Sequence, residues 1–169
     1  MYKFIFTFIF AAILSLNSTA QAQTPTKTKL NHHLGLHTSS LGGLGFSYRY
    51  WPGKMGVQVT ALPVFRKKKG HFVSLAANLL YTLKEGRKVD LYTYTGIHYV
   101  GVKSSEFTSN QGVITSNKSE SINLGLGIGF KINLTEFLNL NLQTGYGFYN
   151  INNDFISTMA GGVGLYYSF

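Results

Sequence analysis

The chain has 169 residues, one domain's worth of sequence, and its lack of cysteine excludes disulfides, thiolate metal sites and a cysteine nucleophile. It is 44% hydrophobic and only 12% charged, about half the charge content of an ordinary soluble domain, so much of its surface is expected to face lipid. The formal net charge is +9. For the exported protein predicted below, anionic lipid head groups are the expected counter-charge, and nucleic acid is not an expected partner.

The first 22 residues have the features of a cleaved signal peptide. Lys3 supplies the positive start, residues 4–16 are almost entirely apolar, and Ala20-Gln21-Ala22 gives the small-x-small pattern that signal peptidase recognises. The apolar stretch is too short to cross a bilayer as a helix, which needs about 20 residues. A signal anchor is the alternative. We predict cleavage after Ala22, followed by a short periplasmic segment at residues 23–31.

Apolar and polar residues alternate along the rest of the chain, most regularly over residues 122–133 and 138–148. Segments of about ten alternating residues are typical of transmembrane β-strands, with apolar side chains outward and polar ones inward. No later apolar run is long enough for a membrane helix, and a soluble barrel would need more charge on its second face. We therefore predict an all-β fold, an eight-stranded antiparallel up-and-down transmembrane β-barrel at residues 32–169. The predicted strands cover residues 32–40, 44–51, 55–65, 71–83, 89–102, 121–133, 137–149 and 155–169.

The lengths of the connections predict which end faces outward, because such barrels have short periplasmic turns and longer outer loops. The predicted periplasmic turns are residues 52–54, 84–88 and 134–136. The predicted outer loops are residues 41–43, 66–70, 103–120 and 150–154. The longest loop, 103–120, is either a recognition surface or a mobile tip without a partner.

Aromatic residues near the strand ends predict two girdles at the membrane interfaces. The predicted periplasmic girdle contains Tyr48, Tyr50, Trp51, Tyr81, Phe137, Tyr167 and Phe169. The predicted outer girdle contains Phe65, Phe107, Tyr146, Phe148 and Phe155.

The last segment carries a family resemblance, because Val163, Leu165, Tyr167 and Phe169 alternate with small or polar residues. This resembles the C-terminal signature of outer-membrane proteins, and the chain resembles the small OmpA-like and OmpX-like eight-stranded barrels. The Asn, Lys and Tyr bias resembles the Bacteroidota type. The resemblance implies an integral outer-membrane location and an assembly signal at Tyr167 and Phe169 for the barrel-assembly machinery. OmpA-type proteins continue into a peptidoglycan-binding domain, which this sequence lacks, so tethering to the cell wall is not expected.

The inward face of an eight-stranded barrel is just wide enough for side chains to fill. A buried charge needs a partner, so Asp90 is expected to pair with Arg49 or Lys131. A pore for large solutes is then not expected, while passage of water or small ions stays open. The polar residues expected to fill the lumen are Arg49, Gln58, Asp90, Asn123, Lys131, Asn139, Asn141 and Gln143.

His37 and Ser39 share one face of the first predicted strand. Some barrel enzymes that deacylate lipid A use a His-x-Ser pair, in which a carboxylate orients the histidine and the histidine takes the hydroxyl proton. Glu106 and Glu120 are predicted on the outer side, but nothing places either beside His37, so two ordinary lumen residues are favoured. Adjacent His32 and His33 point to opposite faces of a strand, and no metal site or cofactor is expected.

The densest charge in the chain is Arg66, Lys67, Lys68 and Lys69. On the predicted outside, these residues would face the phosphates of lipopolysaccharide, where charge-assisted hydrogen bonds are strong. The alternative is a solvated hairpin tip that also prevents aggregation.

Fold resemblance does not settle function, because small barrels host several functions. The favoured hypothesis is a non-catalytic barrel with a role in envelope integrity or surface interaction through its outer loops. The alternatives are an enzyme acting on lipid A or phospholipid, and a narrow channel. The expected protein is a monomer, and its expected partners are outer-membrane lipid, lipopolysaccharide and, during biogenesis, the barrel-assembly machinery.

Overall fold

The computed structural model describes residues 30–66, 70–107, 114–152 and 155–169. Side chains are described for all of these except residues 66, 104–107 and 114–117. The predicted signal peptide at residues 1–22 and nearly all of the predicted periplasmic segment at 23–31 lie outside the described residues.

Eight strands form a closed antiparallel barrel, which confirms the predicted fold class. Each strand pairs with the next, and β8 pairs with β1 to close the wall. Within the described ranges, no helix is long and apolar enough to cross a membrane. The strands are β1 (His32–Ser39), β2 (Gly43–Tyr50), β3 (Met55–Arg66), β4 (Gly70–Lys84), β5 (Val89–Phe107), β6 (Ile114–Asn133), β7 (Leu138–Tyr149) and β8 (Ile156–Ser168).

The two ends of the barrel differ. At the lower end, β1 begins, β8 ends, and residues 51–54, 85–88 and 134–137 form short turns, close to those predicted from the sequence. Two backbone hydrogen bonds between His32 and Phe169, 3.2 and 2.8 Å long, complete the ladder there. At the upper end, the connections are residues 40–42, 67–69, 108–113 and 150–155.

The predicted alternation of faces is confirmed. On β6, Leu126 is 57% exposed on the outside, whereas Asn123 is 6% exposed and faces the lumen. Successive residues of a strand point to opposite sides, so a closed wall places one set of side chains inside and the other outside.

The prediction of a long loop at residues 103–120 is wrong. The β5–β6 ladder continues upward from the Lys103↔Lys118 pair to Phe107↔Ile114, so only residues 108–113, which lie outside the described residues, connect the strands. Similarly, the β3–β4 ladder reaches Arg66↔Gly70, so only residues 67–69, which lie outside the described residues, connect these two strands. The loop was predicted because residues 103–120 are rich in Ser, Asn and Thr. Such a composition is also compatible with two paired strands.

Candidate functional site

Large side chains in the lumen lie opposite glycines on the neighbouring strand. Tyr92 and Tyr94 of β5 are cross-strand partners of Gly129 and Gly127 of β6, and both tyrosines are at most 2% exposed. A methyl group added at Gly129 would overlap the ring of Tyr92. The glycines of β6 therefore provide the space that the tyrosine rings occupy. The sequence analysis missed both tyrosines, although they share the face of Asp90.

Arg49 is the central charged group of the lumen and is 1% exposed. Its Nε donates to Gln58 Oε1 at 2.8 Å, and its Nη1 donates to Asn141 Oδ1. The guanidinium also lies 4.0 Å from the centre of the Tyr166 ring. Among the described side chains, Arg49 has no carboxylate partner, so neutral oxygens and an aromatic face stabilise the charge.

A chain of hydrogen bonds extends from Arg49 around the lumen. Asn141 donates to Asn139 at 2.8 Å, and Asn139 donates to Ser168 Oγ at 2.7 Å. The Ser168 hydroxyl lies 2.6 Å from His33 Nδ1. On the other side, Gln58 donates to Thr60 and Tyr166 donates to Ser47. These bonds join β1, β2, β3, β7 and β8 across the interior.

Asp90 and Lys131 form a separate ion pair near the lower end. Their atoms Oδ2 and Nζ are 2.8 Å apart, and the two side chains are only 13% and 20% exposed. Of the two partners considered for Asp90, the structure places Lys131 beside it. Of the three charged residues predicted in the lumen, Asp90 and Lys131 form an ion pair, and Arg49 has no carboxylate partner among the described side chains.

Trp51 closes the lower mouth of the lumen. The sequence analysis placed it in an outward aromatic girdle, but it is 5% exposed and makes an edge-to-face contact with Tyr92 at 5.1 Å. Gly56 leaves room for the indole, and Lys131 Nζ lies 5.5 Å from the centre of the indole ring. Trp51 lies two positions after the lumen residue Arg49, so the alternation of β2 already indicates an inward side chain, which the girdle assignment overlooked.

The β1–β2 turn closes the upper mouth. Leu41 is 1% exposed and lies against Gly125 inside the barrel. His98 holds this turn, because its Nδ1 donates to Ser40 O at 3.1 Å. Its Nε2 accepts from the Ser74 hydroxyl at 2.9 Å, which in turn accepts from Leu44 N at 3.1 Å. The sequence analysis gave no role to Leu41. It could not predict the contact between the turn and His98, because Ser40 and His98 are 58 residues apart in the chain.

His37 and Ser39 both face the lumen and are 3% and 8% exposed. The Ser39 hydroxyl accepts the backbone N–H groups of Leu41 and Gly42, at 3.2 and 2.9 Å, so it caps the turn. Glu120 points to the outside of the barrel, and the side chain of Glu106 lies outside the described set. No described carboxylate orients His37, and neither residue is accessible to a lipid outside the wall. The described residues also contain no group of three or more potential metal ligands.

The other predicted girdle residues with described exposure lie at the barrel ends and face outward. At the lower end, Phe137 stacks on Tyr167 at 6.0 Å, and Tyr167 stacks on Phe169 at 6.5 Å. At the upper end, Phe148 contacts Tyr146 and Phe155 at 5.8 and 5.9 Å. Phe65 is 75% exposed, and the side chain of Phe107 is not among those described.

A shallow basic groove lies on the outer surface at the upper end. Its basic side chains are His71, Lys103 and Lys118, which are neighbours in one row across β4, β5 and β6. Tyr99 donates to Glu120 Oε1 at 2.8 Å, and the same oxygen lies 2.9 Å from Lys118 Nζ. The sequence analysis assigned Lys103, Lys118 and Glu120 to the loop and did not find the groove. Its lining residues are His71, Val73, Tyr99, Gly101, Val102, Lys103, Lys118 and Glu120.

Lys118 and Glu120 lie above the apolar outer face of β6, which begins at Ile122. The hydrogen bond between them is the main reason that the pKa of Lys118 is raised and the pKa of Glu120 is lowered. Both groups are therefore charged at neutral pH. Lys103 has no acidic partner among the described side chains.

The predicted basic cluster adjoins this groove along the chain. Arg66 ends β3, its backbone pairs with Gly70, and His71 follows directly. The side chain of Arg66 and all of Lys67, Lys68 and Lys69 lie outside the described residues.

Comparison with known proteins gives a likeness of fold. No family model and no curated protein matches the sequence. Among solved structures, the N-terminal β-barrel domain of Pseudomonas aeruginosa OprF is 15% identical, with a TM-score of 0.48, and the match covers 82% of this chain and 95% of that chain. Neisserial surface protein A is 20% identical, with a TM-score of 0.42 and coverage of 82% and 93%. Ail, the attachment invasion locus protein of Yersinia pestis, is 17% identical, with a TM-score of 0.40 and the same coverage.

Proposed function

We propose that this protein is an integral outer-membrane barrel, closed to solutes, that acts without catalysis in envelope integrity or surface interaction. The observation that carries the proposal is the inverted surface: large apolar side chains are exposed outside, and a charged and hydrogen-bonded network fills the inside. A water-soluble barrel would have the opposite arrangement.

The height of the apolar surface supports insertion into a membrane. The outward residues of β4 from Val73 to Leu83 carry no charge. At about 3.4 Å per residue and a tilt of about 40°, this segment rises about 26 Å, close to the apolar band of about 25 Å in known membrane barrels. The short lower turns then favour a periplasmic lower end and an upper end outside the cell.

The surface role is assigned to the upper end, where β5 and β6 extend beyond the apolar band as a polar ribbon. A rigid wall that carries an exposed ribbon is a common way to present a recognition surface. The basic residues Arg66, Lys67, Lys68 and Lys69 are proposed to contact lipopolysaccharide. If so, replacing all four by glutamine weakens the binding of lipopolysaccharide in reconstituted bilayers, and unchanged binding removes this part of the proposal.

The last strand is proposed to carry the assembly signal. Tyr167 and Phe169 are 55% and 53% exposed on the outside of the lower end, where a folding factor could contact them. Replacing Phe169 by alanine should lower the amount of folded barrel in the outer membrane while total synthesis stays constant. Equal amounts of folded protein would remove Phe169 from the signal.

The principal test combines membrane fractionation with two assays of activity. The protein should fractionate with the outer membrane, give no single-channel conductance in planar bilayers and leave the mass of lipid A unchanged in cells that produce it. A soluble barrel in the periplasm would refute the membrane proposal. A change in lipid A mass that disappears in His37→Ala and Ser39→Ala variants would make the protein an enzyme instead.

A further inference from the structure

The basic groove lies where a membrane barrel meets lipid head groups. His71 is the next outward residue above Val73, the residue at which the uncharged outward face of β4 begins. Cross-strand pairing places Phe65, His71, Lys103 and Lys118 in one outward row across four strands. The row therefore borders the apolar band on its upper side.

The charge arrangement in this row is costly without a counter-ion. Lys103 and Lys118 are direct cross-strand partners, which places their Cβ atoms about 5 Å apart, and like charges in that position destabilise a sheet. Glu120 compensates only Lys118. A second negative charge beside Lys103 would remove the repulsion.

The shape of the surface provides a place for that charge. Gly101 lies in the row below Lys103, and both residues line a shallow opening of about 90 Å³. The Tyr99 hydroxyl leans over Gly101, 2.9 Å from where a Cβ would lie. Below the opening, Leu75 and Ile97 are 49% and 47% exposed and form an apolar wall.

We propose that this groove binds the phosphate group of an anionic lipid in the outer leaflet. Lys103 and Lys118 hold the phosphate, His71 borders it, and an acyl chain follows the apolar wall below. A free phosphate would use the lysines but not the apolar wall, so the combination favours a lipid. The inference rests on the proposed membrane location and orientation, and it adds a defined binding site to them.

The test measures the lipid retained by the full mature chain. The protein is inserted into nanodiscs of phosphatidylcholine with a minor fraction of phosphatidic acid, and the barrel is released and weighed by native mass spectrometry. The wild type is expected to retain phosphatidic acid in preference to phosphatidylcholine. The Lys103→Gln/Lys118→Gln variant should lose at least about tenfold in retention, because it removes the charge-assisted contacts of both lysines with the phosphate.

Two further variants separate a specific site from general charge. Lys54→Gln/Lys84→Gln removes the same charge from exposed residues at the lower end and should retain phosphatidic acid as the wild type does. Glu120→Gln releases Lys118 from its carboxylate and should increase retention. Equal losses in the two lysine pairs, or no loss in either, would overturn the site.

Additional arms distinguish the source of the phosphate. Diphosphorylated lipid A in place of phosphatidic acid should be retained with the same dependence on Lys103 and Lys118. Inorganic phosphate added in excess should compete poorly if the apolar wall contributes, and full competition would overturn the assignment to a lipid. Failure of the barrel to insert overturns both the proposed function and this site, whereas insertion with equal retention in all variants overturns the site alone.

Discussion

Replacing Arg49 by methionine is expected to destabilise the folded barrel by about 2–4 kcal/mol, because Arg49 holds several buried partners in the lumen. The change leaves Gln58 Oε1 and Asn141 Oδ1 without their donors inside the lumen, at about 1–3 kcal/mol for each buried oxygen. The loss of the guanidinium above Tyr166 adds about 1–2 kcal/mol. These losses are partly offset, because a buried charge with no described carboxylate partner is removed and its desolvation penalty of several kcal/mol is relieved.

The measurement is urea-induced unfolding in phospholipid vesicles. The single tryptophan, Trp51, is buried at the lower mouth and reports unfolding by fluorescence, while the mobility of unheated samples on gels reports the closed barrel. Arg49→Lys keeps the charge but loses the planar fork that reaches two acceptors, so it should recover only part of the stability. Lys84→Met, at an exposed position, serves as the control and should change stability by less than about 0.5 kcal/mol.

A double-mutant cycle with Asn141→Leu tests the mechanism. Because the two residues share a hydrogen bond, the combined loss should differ from the sum of the single losses by about 1 kcal/mol or more. Additive effects, or an Arg49→Met variant as stable as the wild type, would refute the view that the network stabilises this charge.

Two further predictions concern packing and closure. Gly129→Ala should cost about 1–3 kcal/mol because the new methyl group overlaps the enclosed ring of Tyr92. Gly161→Ala, where the nearest atom is 3.9 Å away, should change stability by less than about 0.5 kcal/mol, and a similar loss in both variants would contradict this account of lumen packing. The Leu41→Ala/Trp51→Ala variant removes both closures and should raise conductance in planar bilayers above the wild-type level, whereas an unchanged current would show that other groups occlude the lumen.

The strand count, the closed barrel and the faces of the strands follow from the sequence because one physical constraint governs them. A closed wall between an apolar exterior and a polar interior imposes strict alternation on every strand. That alternation is visible in single residues: Leu126 and Asn123 of β6 occupy the faces that their parity predicts. The face of a residue depends only on whether its position in its own strand is odd or even. Predicting that face therefore requires no knowledge of the neighbouring strands.

The contacts inside the lumen do not follow from the sequence in the same way. Arg49 of β2 meets Asn141 of β7, which lies 92 residues away. Their meeting depends on the stagger of all the strands between them, and alternation contains no information about stagger. Sequence analysis therefore placed Arg49 and Asn141 in the lumen without identifying them as partners, and it considered two candidates for Asp90. It did not include Tyr166 or Ser168, which also belong to the network.

Above the uncharged outer surface, strands can no longer be predicted from the alternation of apolar and polar residues. The sequence beyond Lys103 and Lys118 shows no alternation of apolar and polar residues, so the β5–β6 ribbon was interpreted as a loop. Two lysines placed directly opposite each other at the lower margin of that ribbon oppose the pairing that a sheet favours. A local arrangement that lowers stability without a structural benefit is most often found at a functional site. For this reason, the lysine pair points to a ligand at this position.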